Sequence, residues 1–332
     1  MRILITGAAG FVGRHMMHHF IQQGQEVTGI DNYLPGGGSI LPYNWMSSIK
    51  IDPDKTYIHE IDCIRFFENN NTTHFDLVLH LAAVVGGRQT IEKSPLSVAT
   101  DLAIDAAMWK WAAKVRPGRV VYFSSSAAYP IFTQMLKLQH QLIESDLDVG
   151  CRIYGIPDNT YGWAKMTGEY LGNVASVIHD VDYVVYRPFS GYGEDQGSEY
   201  PMSAIVNRAL AVPADKFDID VWGSGKQVRD WIHIDDIVNI VNDSCMLLPS
   251  GAVMNLSSGI GTNMDLLATT ALAMVRNDPY MVFDVKHMTS MPEGVMYRVG
   301  NTNFRKLFYN KPLITLEQGI ERMINHFKSE NV

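Results

Sequence analysis

Arg2-Ile-Leu-Ile-Thr6-Gly7-Ala8-Ala9-Gly10-Phe11-Val12-Gly13 begins with a short apolar run and then places three glycines at every third position. A helix-like segment follows to about Gln23, Gly24 closes it, and Glu26 to Ile30 reads as a second strand ending on Asp31-Asn32. Strand, glycine turn, helix, strand and acid, in that order, make a dinucleotide-binding unit, here spaced GxxGxxG rather than GxGxxG. Gly7, Gly10 and Gly13 would let the backbone approach a pyrophosphate. The amides of Phe11 and Val12 at the helix N-terminus would favour its charge. Asp31, 18 residues after Gly13, can accept hydrogen bonds from ribose hydroxyls and would repel a 2′-phosphate. That predicts NAD rather than NADP as cofactor.

Outward from this unit the alternation continues. Pro35 to Pro53 is rich in Gly, Pro and Ser and reads as a loop with a short helix. Tyr57 to Asp62 is a third strand, where Asp62 can reach an adenine edge or cap the next helix. Phe75 to His80 is a fourth, leading into Leu81-Ala82-Ala83, small residues that let a cofactor pass close to the chain. Gly86-Gly87-Arg88 lie in a loop, Pro95 to Val115 is a long apolar helix with Trp109 and Trp111, and Arg119 to Ser124 is the next strand. Strands alternating with helices predict an α/β protein with a doubly wound parallel (Rossmann) sheet. The triple serine Ser124-Ser125-Ser126 sits where such a strand ends, the edge at which ligands bind in open α/β sheets. Serines also cap helices and satisfy strand ends.

Tyr161 and Lys165 stand four residues apart in a run of helix formers, which puts both on one helix face. A free phenol, with a pKa near 10, is a poor base at neutral pH. A cation beside it lowers that value and suits the tyrosine to exchange a proton with a substrate hydroxyl. A serine at the strand end can hold the same oxygen. Such a pair recurs by chance in many chains; here it stands with the glycine turn and the serines.

Tyr183 to Arg187 is one more strand, and Pro188 to Gly193 turns sharply. Beyond about residue 190 the alternation weakens: Phe217 to Trp222 and Gln227 to Ile234 are strand-like, Asp235 to Leu248 helical, Met254 to Ser257 a strand, and Met264 to Arg276 a helix. The expected division is therefore 1–187 as the NAD-binding domain, with 235–257 returning to it, and 188–332 as mainly a smaller α/β substrate domain. Asp235 and Asp236 are read as caps of their helix, and His233 as a packed strand histidine.

The balance of the whole chain narrows the function. A net charge of −8, with no basic run longer than two residues, argues against nucleic acid as a partner. No apolar stretch approaches the roughly 18 residues of a membrane span. Strand-like residues start at once after Met1, which leaves no signal peptide to read. The three cysteines, Cys63, Cys151 and Cys245, are far apart and fit a reducing cytoplasm. No histidine, cysteine or carboxylate cluster has metal spacing.

Thr6-Gly-Ala-Ala-Gly-Phe-Val-Gly13, Asp31-Asn32, Leu81-Ala-Ala83, Ser124-Ser-Ser126, Tyr161-xxx-Lys165 and Arg229-Asp-Trp-Ile-His-Ile-Asp-Asp236 together resemble an extended short-chain dehydrogenase/reductase of the nucleotide-sugar epimerase/dehydratase type. The resemblance covers nearly the whole chain. It implies Ser125, Tyr161 and Lys165 as the catalytic set, with Lys165 also on the nicotinamide ribose. Cofactor contacts are implied from Asn32, Asp62, Leu81, Ala82, Ala83, Ser124 and Phe189. Substrate contacts are implied from Gly87, Arg88, Ser125, Ser126 and Ser190, and from Arg229 and Arg298 on the diphosphate. A homodimer through the helices at about 95–115 and 161–178 is a family expectation, although apolar positions there, Trp109 included, equally fit burial within one chain.

Departures from the family pattern separate the reactions. Dehydratases of this type carry an Asp-Glu pair where this chain has Ser126 and Ala127, and the decarboxylases keep an acid there. Several stretches (Gly86-Gly87, Tyr129-Pro130, Asp215 through Gly223, Pro292 to Val295) look most like the GDP-mannose 3,5-epimerase and GDP-fucose synthase branch. That branch uses a cysteine where Ala127 stands, with a partner lysine near Tyr200 or histidine near Asp195, and neither is kept. What remains suffices for reversible oxidation at C4. The expected activity is an NAD-dependent nucleotide-sugar epimerase working at C4 through a transient 4-keto sugar, with a GDP-sugar as candidate substrate. A 4-keto-sugar reductase would use the same residues, though Asp31 weighs against NADPH. A 3,5-epimerase would need another acid/base pair. An NAD-binding sensor would be expected to have lost part of the catalytic set.

Overall fold

A computed structural model describes residues 1–34, 38–52, 57–84, 93–278, 280–290 and 293–330. Strand β1 (Arg2–Thr6) has Ile3, Leu4, Ile5 and Thr6 fully buried, because both faces of a parallel sheet are covered by helices. Helix α1 (Phe11–Gln22) follows the glycine turn and returns the chain to β2 (Glu26–Asp31). Then come β3 (Ile58–Glu60), α2 (Cys63–Asn69), β4 (Leu77–His80), α3 (Thr100–Val115) and β5 (Val120–Phe123). The two-residue β6 (Gln141–Leu142) lies in the excursion before α4 (Asn159–His179) and β7 (Tyr183–Pro188). The second half supplies β8 (Ser190–Tyr192), α5 (Pro201–Ala211), β9 (Asp218–Trp222), β10 (Val228–His233), α6 (Ile234–Ser244), β11 (Val253–Leu256), β12 (Gly261–Asn263), α7 (Met264–Arg276), β13 (Asp284–Met288), β14 (Tyr297–Gly300), α8 (Asn303–Phe308) and α9 (Leu316–Glu330).

The main sheet has seven parallel strands in the order β11-β7-β5-β4-β1-β2-β3. This is the doubly wound order, and its direction reverses between β1 and β4, where ligands bind. Gly7 explains part of the turn: its φ of +66° is a left-handed value, and a Cβ there would lie 2.9 Å from Ala82 backbone. Gly13 explains the rest, since a Cβ would come within 2.0 Å of the Gly7 carbonyl oxygen. The long helix expected from Pro95 breaks into a single turn, Pro95–Val98, and α3.

The second half pairs β12-β10-β14-β6, with β8 on β10, and sets β13 on β9 as a two-stranded sheet. A separate core of Tyr192, Ile205, Val221, Trp231, Leu267 and Ile324, among others, holds α5, α7 and α9 together. Strand β11 pairs with β7, and α6 packs on α1. His233 caps α6, its Nδ1 accepting from the Asp235 amide at 3.2 Å. The expected aspartate caps are thus corrected: Asp235 pairs with Arg322 at 2.8 Å, and Asp236 accepts from the Ile314 amide at 2.9 Å. The histidine reaches the amide because it ends a strand with its ring buried against Tyr192, whereas both aspartates already lie inside the helix.

Candidate active site

The loops after β1, β2, β4 and β5 meet α4 around one cleft. It is lined by Gly7, Gly10, Phe11, Val12, Gly13, Asp31, Asn32, Asp62, Leu81, Ala82, Ala83, Ser124, Tyr161, Lys165 and Phe189, with Gln196 and Tyr200 from the second half. Among the described residues no side chain caps α1, so its first-turn amides have no side-chain partner there at the wall they form. Asp31 ties the turn together, Oδ2 accepting from the Ala9 amide at 3.0 Å and from Ser39 Oγ at 3.2 Å, Oδ1 from the Tyr33 amide at 2.8 Å. Asp62 caps α2 through the Ile64 and Arg65 amides and still borders the cleft. A glycine cradle, open helix amides and an acid at the end of β2 fit a dinucleotide.

Tyr161 and Lys165 share a face of α4 as their spacing requires, Lys165 Nζ lying 5.9 Å from the Tyr161 ring centre and 5.3 Å from that of Tyr122. Ser125 stands close enough to the Tyr161 hydroxyl to act on its proton, and its Oγ accepts from the Ala127 amide at 3.0 Å. The expectation that the lysine lowers the phenol's pKa is corrected in net direction. Burial pushes Tyr161 up; Lys165 and Ser125 pull it down, but Asp101 and Asp105 add to the burial, and the value stays above that of a free phenol. Burial likewise works against the Lys165 ammonium, yet Asp105, Tyr161, Asp101 and Glu169 outweigh it and hold its pKa above the usual lysine value.

Behind this pair lies a buried polar network. Thr6 Oγ1 is 2.9 Å from His80 Nδ1, His80 Nε2 is 3.1 Å from Asp105 Oδ1, and the Tyr122 hydroxyl donates to Asp105 Oδ2 at 2.5 Å. Burial lowers the pKa of His80, so the neutral ring donates Nε2–H to Asp105 and accepts at Nδ1 from Thr6. Ser124 turns inward and donates to Glu169, which Arg187 grips with Nε at 2.9 Å and Nη2 at 2.6 Å. Ser126 is buried in the short turn Ser126–Ala128.

The remaining substrate candidates lie elsewhere. Arg229 and Arg298 stand opposite each other on β10 and β14 and so share a face. Arg298 donates from Nε to Gln134 at 2.6 Å and from Nη2 to Asp158 at 2.7 Å, next to the start of α4. Arg229 donates to the Val228 and Glu293 carbonyls. Ser190 is half-buried on β8, in register with Trp231. None of these five, Ser125, Ser126, Ser190, Arg229 and Arg298, lines the cleft itself. Gly87 and Arg88 lie outside the described residues. Sequence reasoning missed Gln196 and the acids Asp101 and Asp105. The acids carried a signal: two carboxylates four residues apart in a mostly apolar helix share one face.

Residues 3–244 match the model of the NAD dependent epimerase/dehydratase family, and the chain belongs to that family. NAD, expected from the glycine turn and Asp31, is the family's cofactor. Over 340 aligned positions, the whole of both chains, it is 23% identical to a UDP-glucose 4-epimerase of Mycolicibacterium smegmatis. It is 24% identical, over 98% of each chain, to a UDP-N-acetyl-alpha-D-glucosaminuronate decarboxylase of Bacillus cytotoxicus. The crystal structure of a UDP-glucose 4-epimerase of Thermotoga maritima with UDP-glucose superposes over the full length of both chains with a TM-score of 0.80 at 21% identity, which establishes the shared fold. Among the described residues no helix is long and apolar enough to cross a membrane.

Proposed function

We propose that the protein is an NAD-dependent nucleotide-sugar epimerase that inverts C4 through a transient 4-keto sugar. One observation carries this reading. Tyr161 has the Lys165 ammonium 5.9 Å from its ring centre and Ser125 acting on its hydroxyl, while the turn after Ser125 is Ser126-Ala127-Ala128 and carries no carboxylate for eliminating water or losing a carboxyl group. Several relatives at similar distance bear 4-epimerase names, which supports the reaction type.

Tyr161 takes the C4 hydroxyl proton as the C4 hydride leaves, and Ser125 holds the same oxygen in line. Bound NAD supplies the hydride acceptor and donor at C4. The Lys165 ammonium stabilises the phenolate, and the positive charge of an oxidised nicotinamide adds to that effect, acting against the burial that holds the phenol's pKa up. After the keto sugar turns over in the cleft, Tyr161 returns the proton to its oxygen. Residues 188–332, apart from the returning segment 235–257, form the substrate wall, with Ser190 on the sugar side and Arg229 and Arg298 on the diphosphate, whose oxygens suit guanidinium forks. The candidate GDP-sugar rests on the branch resemblance, whereas the relatives named above carry UDP, so both belong in the assay. We place the enzyme in the cytoplasm as a homodimer through α3 and α4, whose Leu102, Trp163 and Tyr170 are exposed. Trp109 packs inside the chain against Tyr122 and Tyr183.

The test incubates the protein and its copurified cofactor with GDP-, UDP- and dTDP-sugars in deuterated water, followed by proton NMR. A C4 epimer without deuterium is the expected result. Deuterium at C3 or C5 would assign the 3,5-epimerase reaction instead. Unchanged sugars, with reduced cofactor consumed once a 4-keto sugar is supplied, would assign a reductase.

A further inference from the structure

Two charged ladders face each other where α3 packs on α4. Asp101 and Asp105 are four residues apart on one helix; Tyr161, Lys165 and Glu169 repeat at the same interval on the other. The helices come this close at Gly168, where a Cβ would lie 1.9 Å from the Tyr122 hydroxyl and 2.6 Å from Asp105 Oδ2. A carboxylate in such an interface is costly unless each oxygen is satisfied. Asp105 is satisfied, by His80 and Tyr122. Asp101 is not: it is 0% exposed, Oδ1 accepts from the Val84 amide at 2.6 Å, and the buried Oδ2 has no hydrogen-bond partner among the described residues. Val84 lines the cleft beside Ala83, so Asp101 is one amide removed from the catalytic wall.

We propose that Asp101 is a positioning residue that acts through Lys165 and Tyr161, an adjustable counter-charge that decides how readily Tyr161 gives up its proton. The inference rests on the reading of Tyr161 as the proton-transfer residue. Asp105 is locked by two hydrogen bonds, and Glu169 is neutralised by Arg187. Among the described residues, that leaves Asp101 as the carboxylate near Tyr161 and Lys165 whose charge can change. The groups acting on it are Lys165 from α4 and Asp105 from α3, with Tyr161 feeling its charge; His80 and Tyr122 stand behind Asp105. Burial pushes its carboxyl up, Lys165 and the Val84 amide pull it back, Asp105 adds to the rise, and it titrates at about 7. Ionised Asp101 opposes the phenolate. Protonated Asp101 removes that opposition and leaves the pull of Lys165 on Tyr161.

Asp101→Asn fixes the neutral state and keeps an acceptor for the Val84 amide. The Tyr161 phenol, followed as the ultraviolet difference between protein with and without Tyr161→Phe, is expected to titrate at lower pH in Asp101→Asn than in its absence. The acid limb of sugar turnover moves the same way, so that the rate at a fixed pH on that limb rises about threefold or more. An unmoved titration, or one moved to higher pH, overturns the inference even if a sugar is epimerised. A moved titration with no sugar altered sustains it while the epimerase reading fails. Should Asp101→Asn not fold, carbon NMR of carboxyl-labelled aspartate decides. Asp101 must titrate near neutral pH and move upward in Lys165→Met; a resonance titrating with the surface aspartates, or indifferent to Lys165→Met, overturns the proposal.

Discussion

Two halves of one molecule meet at the cleft, and they are built by different means. In residues 1–187 each strand of the main sheet is laid parallel to its neighbours by a crossover, and much of the wall these strands present is main chain and small side chains: the glycine turn, the amides opening α1, and Leu81 to Ala83. Beyond residue 188 the strands are short and mixed in direction, β12 running antiparallel to β10 while β14 runs parallel to it, and the groups proposed to meet the substrate are long side chains such as Arg229 and Arg298. Backbone recognition suits a constant ligand, because only the path of the chain must be right. Side-chain recognition suits a ligand that differs between family members, because single residues can change without disturbing the fold.

The largest way to test the first half is to remove its proposed reacting group. Tyr161→Phe keeps the ring that Lys165 faces and deletes the hydroxyl proposed to exchange the proton. Sugar epimerisation is expected to fall about 10²- to 10⁴-fold, the usual contribution of a positioned acid/base, while NAD binding by calorimetry stays within a few-fold of wild type. Loss of both together would mean that Tyr161 mainly holds the cleft in shape.

Nearly as large is the effect of opening the ion pair under the catalytic helix. Arg187→Met strands a Glu169 carboxylate that is 1% exposed and removes donors to the Glu144 and Leu147 carbonyls. Breaking a buried pair from one side costs about 3–5 kcal/mol, to be read from denaturant unfolding. The double change Glu169→Gln with Arg187→Met should recover part of that loss; no recovery would show that the bonds from Arg187 to the excursion matter more than the pair.

The two halves also differed in what their residues disclosed beforehand. Gly7, Gly13, Asp31 and the Tyr161–Lys165 spacing are local patterns, each fixed by neighbours in sequence, so they could be read and were found around one cleft. Strands β6, β8, β12, β13 and β14 were not foreseen. They are two to five residues long and form only because partners far along the chain complete them, as Gly300 reaches Leu142. The acid ladder went unread because Asp101 and Asp105 acquire meaning only against α4. Arg229 and Arg298 were picked out singly, and their shared face exists only through the register of β10 with β14.

The seam between the halves gives a smaller, pH-dependent effect. Asp195, just beyond β8, holds α1 through Arg14, whose Nε donates to Oδ2 at 2.5 Å, and through His15 Nε2 at 2.9 Å from Oδ1. Burial alone would raise this carboxyl, but His15 and Arg14 outweigh it and bring it to about 2. Because the folded value lies below the unfolded one near 4, the stabilisation is complete above about pH 4 and is lost as pH falls toward 2, amounting to about 2 kcal/mol. Asp195→Asn should therefore lower stability at pH 7 by about that much and flatten the dependence between pH 4 and 2. An unchanged slope would show that the two halves are held by apolar packing alone.

The smallest effect separates the second half's role from the first's. Arg298→Lys keeps the positive charge and gives up the planar fork, so a diphosphate would lose one of two parallel hydrogen bonds. The expected outcome is a rise of about tenfold in KM for the nucleotide sugar, worth about 1.4 kcal/mol, with kcat changed by less than about threefold, because the reacting centre belongs to the other half. Arg298 also donates to Asp158 at 2.7 Å, next to the first residue of the helix that carries Tyr161. If kcat falls as far as KM rises, the separation breaks down at that contact. The arginine would then position the catalytic helix as well as bind the diphosphate, and Asp158→Asn should reproduce the loss in kcat while leaving KM nearly unchanged.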